Sequence, residues 1–75
     1  MPGPLGRDEA LEFARWLKRE TKRNHVSIAA LAREAGVNEG TIWTGWAKKR
    51  AWHRTTRVAL ATAMKKMSGV VFSRA

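Results

Sequence analysis

The apolar positions between residues 27 and 46 repeat with the period of an α-helix, stop at a glycine and then begin again. Ile28, Leu31, Ala32 and Ala35 fall at i, i+3, i+4 and i+7, which places them on one face of a helix. Gly36 follows directly, where glycine adopts the left-handed conformation that ends a helix at least cost. The pattern predicts a short helix that ends at Gly36.

Capping signals predict where each of two consecutive helices begins. Ser27 precedes the first apolar stripe and is suited to accept from the free N–H groups of the first helical turn. Asn38 stands before a second helix in the same way, with Val37 and Ile42 at the two positions of a hydrophobic staple. With only about two residues between them, the helices must cross steeply, so the stretch is predicted to be a helix-turn-helix.

The flanking sequence predicts a helix on each side of this motif. The first has Asp8 as its expected cap, an apolar stripe, and two aromatic residues that favour core packing: Ala10, Phe13, Ala14, Trp16 and Leu17. The last has Thr55 or Thr56 as its expected cap, ends at Ser68-Gly69, and places five residues on its apolar side: Val58, Leu60, Ala63, Met64 and Met67.

These elements predict an all-α fold, a compact bundle of four to five short helices around a central helix-turn-helix. Residues 1–7 hold both prolines and are expected to form a flexible arm. Residues 8–69 form the domain, and residues 70–75 form a tail with a possible short extended segment. Val70, Val71 and Phe72 in that tail are β-branched or aromatic, so they must pack on the core or pair with another chain.

The motif resembles the helix-turn-helix of the Cro and repressor proteins of lambdoid phages and of the related bacterial xenobiotic-response regulators. Four residues carry the resemblance in the pattern A-x-x-x-G-V-x-x-x-x-I: Ala32, Gly36, Val37 and Ile42. The chain departs from that family at Ile28, where the family often has Gln, and at Gly45, where it usually has a bulky apolar residue. Trp46 is the residue expected to fill the space at Gly45. The resemblance implies a DNA-binding regulator with the second motif helix in the major groove.

Charge is distributed unevenly along the chain. The net charge is +9, and all six acidic residues precede Gly40, whereas every charged residue from there onward is basic. A basic half that begins within the second motif helix indicates a surface for a polyanion. The alternative is a basic surface that is merely solvated.

Candidate DNA contacts fall into two sets. Read with the resemblance, the face of the second motif helix opposite Ile42 supplies the candidates for contact with base edges: Asn38, Glu39, Gly40, Trp43, Thr44 and Ala47. Hydroxyl, imidazole and basic side chains near helix starts supply the candidates for phosphate contact: Ser27, Thr41, Lys48, Lys49, Arg50, His53, Arg54, Thr55, Thr56 and Arg57. Trp43 is expected either to face DNA or to fill space against the first helix or a partner. Trp52 is expected to be either a wedge against the DNA backbone or a lid on the core.

Other chemistry is not indicated. The chain has no cysteine and only two histidines, so no metal site, cofactor or small-molecule substrate is predicted. No acid–base pair or activated nucleophile suggests an enzyme. No signal peptide or membrane span is evident, so a cytoplasmic, nucleoid-associated protein is expected.

The sequence therefore predicts a sequence-specific transcriptional regulator that binds duplex DNA as a homodimer, with Val70, Val71 and Phe72 at the dimer contact. Phe72 folding back onto the monomer core is the alternative for that segment. Two other functions stay open. One is a sequence-tolerant architectural nucleic-acid binder, because the candidate reading face lacks Arg and Gln. The other is a protein-interaction module that uses its tryptophans as anchors.

Overall fold

A computed structural model describes residues 5–47 and 52–72, which form four helices and contain no strand. The helices are α1 (Leu5–Arg23), α2 (Ile28–Ala35), α3 (Glu39–Ala47) and α4 (Arg54–Ser68). α2 packs against both α3 and α4, and α1 packs against α4. The predicted all-α bundle is confirmed.

α2 begins and ends at the predicted residues, and α3 begins after its predicted cap. The Ser27 hydroxyl accepts from the Ala30 N–H at 3.2 Å, and Asn38 Oδ1 accepts from the Gly40 N–H at 2.7 Å. Gly36 adopts the left-handed conformation with φ of 73° and closes α2 through its own N–H. Capping side chains and one glycine therefore determine the turn between α2 and α3.

The apolar stripes form one core. Leu17, Leu31, Ile42, Leu60 and Met64 are completely buried, which confirms the predicted inward faces of all four helices. Two residues assigned to the apolar side of α4 lie mainly at the surface instead, since Val58 is 56% exposed and Met67 is 37% exposed. Val58 stands two residues before Leu60, on nearly the opposite face of the helix, and Met67 lies in line with Leu60 but in the last turn of α4.

Two predicted helix starts are wrong. α1 begins at Leu5, so Asp8 lies inside the helix and residues 5–7 are helical rather than part of an arm. α4 begins after His53, whose side chain makes no capping hydrogen bond, so Thr55 and Thr56 lie in the first turn. In both places the helix begins before the predicted capping residue, because each residue added at its N-terminal end contributes one more hydrogen bond.

A buried carboxylate organises the turn from α1 into α2. Glu20 is 8% exposed, accepts from Asn24 Nδ2 at 3.1 Å and pairs with Arg19 at 3.5 Å. Asn24 Nδ2 also donates to the Glu20 carbonyl, and His25 follows with φ of 56°. These contacts satisfy the end of α1 while the chain reverses toward Ser27.

The six aromatic residues of the sequence form one continuous series of ring contacts. Phe13 is its centre, with ring centroids 5.3 Å from Trp16, 5.2 Å from Phe72 and 6.0 Å from Trp52. Trp52 in turn contacts Trp46, which contacts Trp43 at the surface. Phe72 therefore packs on its own core, as the alternative for the tail expected, and Val70 packs beside it.

Trp52 determines the position of α3. Its indole N–H donates to the Thr41 carbonyl at 2.9 Å, and the ring is only 6% exposed. A Cβ added to Gly45 would overlap that ring. Trp52 is therefore the lid on the core, and it is Trp52 rather than Trp46 that occupies the space at Gly45. Trp46 turns instead toward α1, where its N–H donates to the Ala14 carbonyl at 3.0 Å.

The contact between Trp52 and Gly45 predicts that Gly45→Ala lowers the stability of the protein, whereas helix propensity alone predicts that it raises the stability. Gly45→Ala should destabilise the protein by about 1–3 kcal/mol, because the new methyl displaces the indole from a packed core. Propensity alone would stabilise a helix by about 1 kcal/mol. The measurement is chemical unfolding, with Thr44→Ala at the neighbouring exposed position as a control that should stay within about 0.5 kcal/mol of wild type. A Gly45→Ala variant more stable than wild type contradicts the contact.

Candidate nucleic-acid interface

Five of the six predicted base-reading residues lie in α3, and the sixth, Asn38, caps its start. Asn38, Glu39, Gly40, Trp43, Thr44 and Ala47 are all exposed, while Ile42 and Gly45 on the opposite side are buried. Thr41 is exposed as well and lies next to this group. The face therefore exists as the periodicity predicted, and its side chains are accessible to a ligand.

A cleft separates this face from the start of α4. It has a volume of about 690 Å³ and is lined by residues from both sides: Asn38, Gly40, Thr41, Thr44, Gly45, Trp52, His53 and Thr56. The rim offers hydroxyl, amide and imidazole groups, and Trp52 forms the apolar floor. The first N–H groups of α4 have no intrahelical acceptor and no capping side chain at His53. This geometry suits a narrow polyanion that lies along the cleft.

The predicted phosphate contacts divide between different places. Thr41, His53 and Thr56 line the cleft, and Thr55 is exposed at the start of α4. Ser27 lies at the start of α2, where its hydroxyl is already engaged as a cap. Lys48, Lys49 and Arg50 lie outside the described residues, between the end of α3 and Trp52.

The two arginines of α4 line a second groove rather than the cleft. This groove has a volume of about 430 Å³ and lies between α1, α4 and Phe72. Arg54 is exposed there, whereas Arg57 is half-buried and donates from Nη1 to the Trp52 carbonyl at 2.8 Å. Arg57 thus holds the core lid in place, a role that the density of basic residues in the sequence did not reveal.

Trp43 is exposed but not free. It is 51% exposed, its ring centroid lies 5.4 Å from that of Trp46, and its indole N–H donates to Glu39 Oε2 at 3.4 Å. It does not fill space against α1, because Trp46 occupies that position through its bond to Ala14. The exposure of Trp43 speaks against packing on α1, and contact with DNA and contact with a partner both stay predictions.

Acidic side chains of α1 and α2 form ion pairs with nearby cations. Glu34 pairs with Lys66 at 3.1 Å and links α2 to α4. Glu39 is the one acid within α3, at its first turn, where the helix dipole stabilises a carboxylate. Glu20 is thus paired with Arg19 and Arg23 of the first half, whereas Glu34 compensates Lys66, one of the eight basic residues that follow Gly40.

Residues 5–47 and 52–72 contain no cluster of three or more His, Cys, Asp or Glu side chains arranged to hold a metal ion. Within the same ranges, none of the helices has the length and apolar character that crossing a bilayer requires.

Comparisons of the chain with protein-family models, curated proteins and solved structures find no match. The resemblance to the Cro and repressor family therefore rests on the four motif residues and stays a prediction.

Proposed function

We propose that this protein is a transcriptional regulator that binds duplex DNA, with α3 in the major groove and the cleft beside it on one sugar–phosphate strand. The observation that carries the proposal is the accessible outer face of α3 next to the uncapped start of α4. A helix about 10–12 Å across fits the major groove. The N–H groups at the start of α4 suit a phosphate.

Net charge supports the same assignment. The chain carries +9, and the eight basic residues from Gly40 onward have no acidic residue among them in the sequence. Three of these, Lys48, Lys49 and Arg50, connect α3 to Trp52 and so follow directly on the proposed reading helix. Phosphate contacts of this kind supply most of the non-specific affinity of DNA-binding proteins.

A sequence-tolerant architectural binder is the second candidate, and one observation favours it. α3 contains no Arg, Lys or Gln, and Asn38 is already engaged as a cap. Competition with random duplex separates the two functions, because a specific regulator keeps its operator at a large excess of competitor while an architectural protein does not. A protein that binds no duplex even at low salt contradicts both.

We also propose that the protein acts as a homodimer, since one helix reads too few base pairs to address a genomic site. Val70 and Phe72, two of the three residues predicted at the dimer contact, pack on the core of their own chain. The surface offered to a second copy is therefore the second groove with exposed Val58 and Val71. Glu9 and Arg54 both line this groove, and such opposite charges on one surface suit a self-complementary, two-fold contact.

The DNA proposal predicts a steep salt dependence. With roughly 4–6 phosphate contacts per protomer, the slope of log K against log salt should be about −4 to −5, and Lys48→Ala should reduce its magnitude by about one. Lys65→Ala is the control, because Lys65 lies about 14 Å along α4 from Thr56 and should leave the slope unchanged. Fluorescence anisotropy over a salt series measures all three. Detectable binding with a slope near zero contradicts the electrostatic account.

The dimer proposal predicts that a charge at Val58 separates the protomers. Val58 is 56% exposed, so Val58→Glu should leave the monomer fold intact but bury an unpaired carboxylate in the interface. Sedimentation velocity should then report a dimer for wild type and a monomer for the variant. Ala29→Glu, at an exposed position of α2 and outside the groove, should remain dimeric. Wild-type protein that is monomeric both free and on DNA overturns the dimer.

A further inference from the structure

The hydrogen-bonding groups on the outer face of α3 are largely occupied. Asn38 Oδ1 accepts from the Gly40 N–H, and the Glu39 carboxylate accepts from the Trp43 indole. The hydroxyls of Thr41 and Thr44 and the amide N–H groups of Asn38 remain as the short polar groups of the face. Long side chains that donate hydrogen bonds to base edges are the usual means of reading a sequence. α3 contains no Arg, Lys or Gln to do so.

The largest accessible side chain on this face is apolar. Trp43 is half exposed, and the side chains around it on the outer face of α3 are small or short. An indole buries a large area on contact, so it would dominate the energetics of anything that meets α3. Discrimination by this helix should therefore come chiefly from an apolar contact.

The posture of Trp43 restricts what it can contact. Its N–H bonds back to Glu39 one turn earlier, so the indole lies along α3 rather than projecting away from it. Its ring also packs at 73° to that of Trp46, which is fixed to α1 through the Ala14 carbonyl. An indole held flat in this way can cover a group that protrudes from a base edge, but it is badly placed to slide between stacked bases.

We propose that Trp43 reads the C5 methyl group of a pyrimidine in the major groove. That methyl is the apolar group that base edges present there, and side chains recognise it by apolar contact. The inference rests on the proposed function, since it requires α3 to enter the groove. It adds that the specificity-determining group is an indole and that its target is a methyl.

Two bases carry this methyl, and Glu39 distinguishes them. Thymine presents the methyl beside the O4 acceptor, which a carboxylate repels. 5-Methylcytosine presents the same methyl beside the N4 amine, which a carboxylate accepts from. Glu39 lies within hydrogen-bonding distance of the Trp43 indole, so both side chains lie close enough to meet one base.

The test uses one mixed-sequence duplex of about 20 base pairs, or two helical turns, in three versions. One is unmodified, one has uracil for every thymine, and one has 5-methylcytosine for every cytosine. Covering one methyl is worth about a three- to fourfold change in affinity. If thymine is the target, the uracil version binds three- to fourfold more weakly. If 5-methylcytosine is the target, the methylated version binds more tightly by the same factor.

Variants assign the effect to Trp43. Trp43→Ala should weaken binding to every version and bring the affinity ratio between methylated and unmethylated versions to about one. Met67→Ala is the matched control, because Met67 is a large exposed apolar residue near the C-terminal end of α4. This variant should keep the wild-type ratio. Versions bound equally by wild type, or a ratio that survives in Trp43→Ala, overturn the inference. Failure to bind any version overturns the proposed function as well, so the two failures differ.

A second measurement uses the unaltered protein and does not depend on how the variant folds. A duplex with 5-bromouracil for thymine places bromine where the methyl stands, and near-ultraviolet light cross-links it to a side chain in contact. Mass spectrometry of the cross-linked peptide should identify Trp43. The same experiment with 5-bromocytosine for cytosine tests a 5-methylcytosine target, and no cross-link at Trp43 from either duplex contradicts the contact.

Discussion

The rest of the structure depends on the indole of Trp52. It contacts Phe13 of α1, lies over Gly45 and bonds the Thr41 carbonyl of α3, while Arg57 of α4 holds its backbone carbonyl. One buried side chain thus connects three helices in a domain too small to have much other core. Without it, α3 would keep its packing on α2, the buried Ile42 and the hydrogen bond from Trp46 to Ala14, but would lose its hydrogen bond to the segment that leads into α4.

The sequence predicted the elements governed by local rules and missed those that depend on long-range packing. The caps of α2 and α3 and the left-handed Gly36 follow from residue type and neighbours, so they were predictable. The partner of Gly45 was assigned to Trp46, its neighbour in sequence, because periodicity cannot show that Trp52 returns from beyond a loop. The role of Arg57 was missed for the same reason, because it depends on the fold bringing its guanidinium to the Trp52 carbonyl.

The proposed reading face was predictable in membership but not in chemistry. Helical periodicity identified the residues that point away from Ile42, and all of them are exposed. What it could not show is that Glu39 and Trp43 engage each other, or that Trp43 rests on Trp46. These contacts turn a set of separate candidates into one preorganised surface, and preorganisation reduces the entropy lost on binding. The same aromatic series runs from this surface to Phe72, so the face and the core share their packing.

The most direct test of the account is a nuclear magnetic resonance titration of ¹⁵N-labelled protein with a short duplex. The backbone amides of α3 and of residues 53–56, together with the Trp43 indole N–H, should show the largest shift changes. The indole N–H groups of Trp46 and Trp52, which donate to backbone carbonyls, give internal references, and they should move less than that of Trp43. Changes that are largest on α1 or in the second groove, with α3 unaffected, would contradict the claim that α3 is the DNA-reading element.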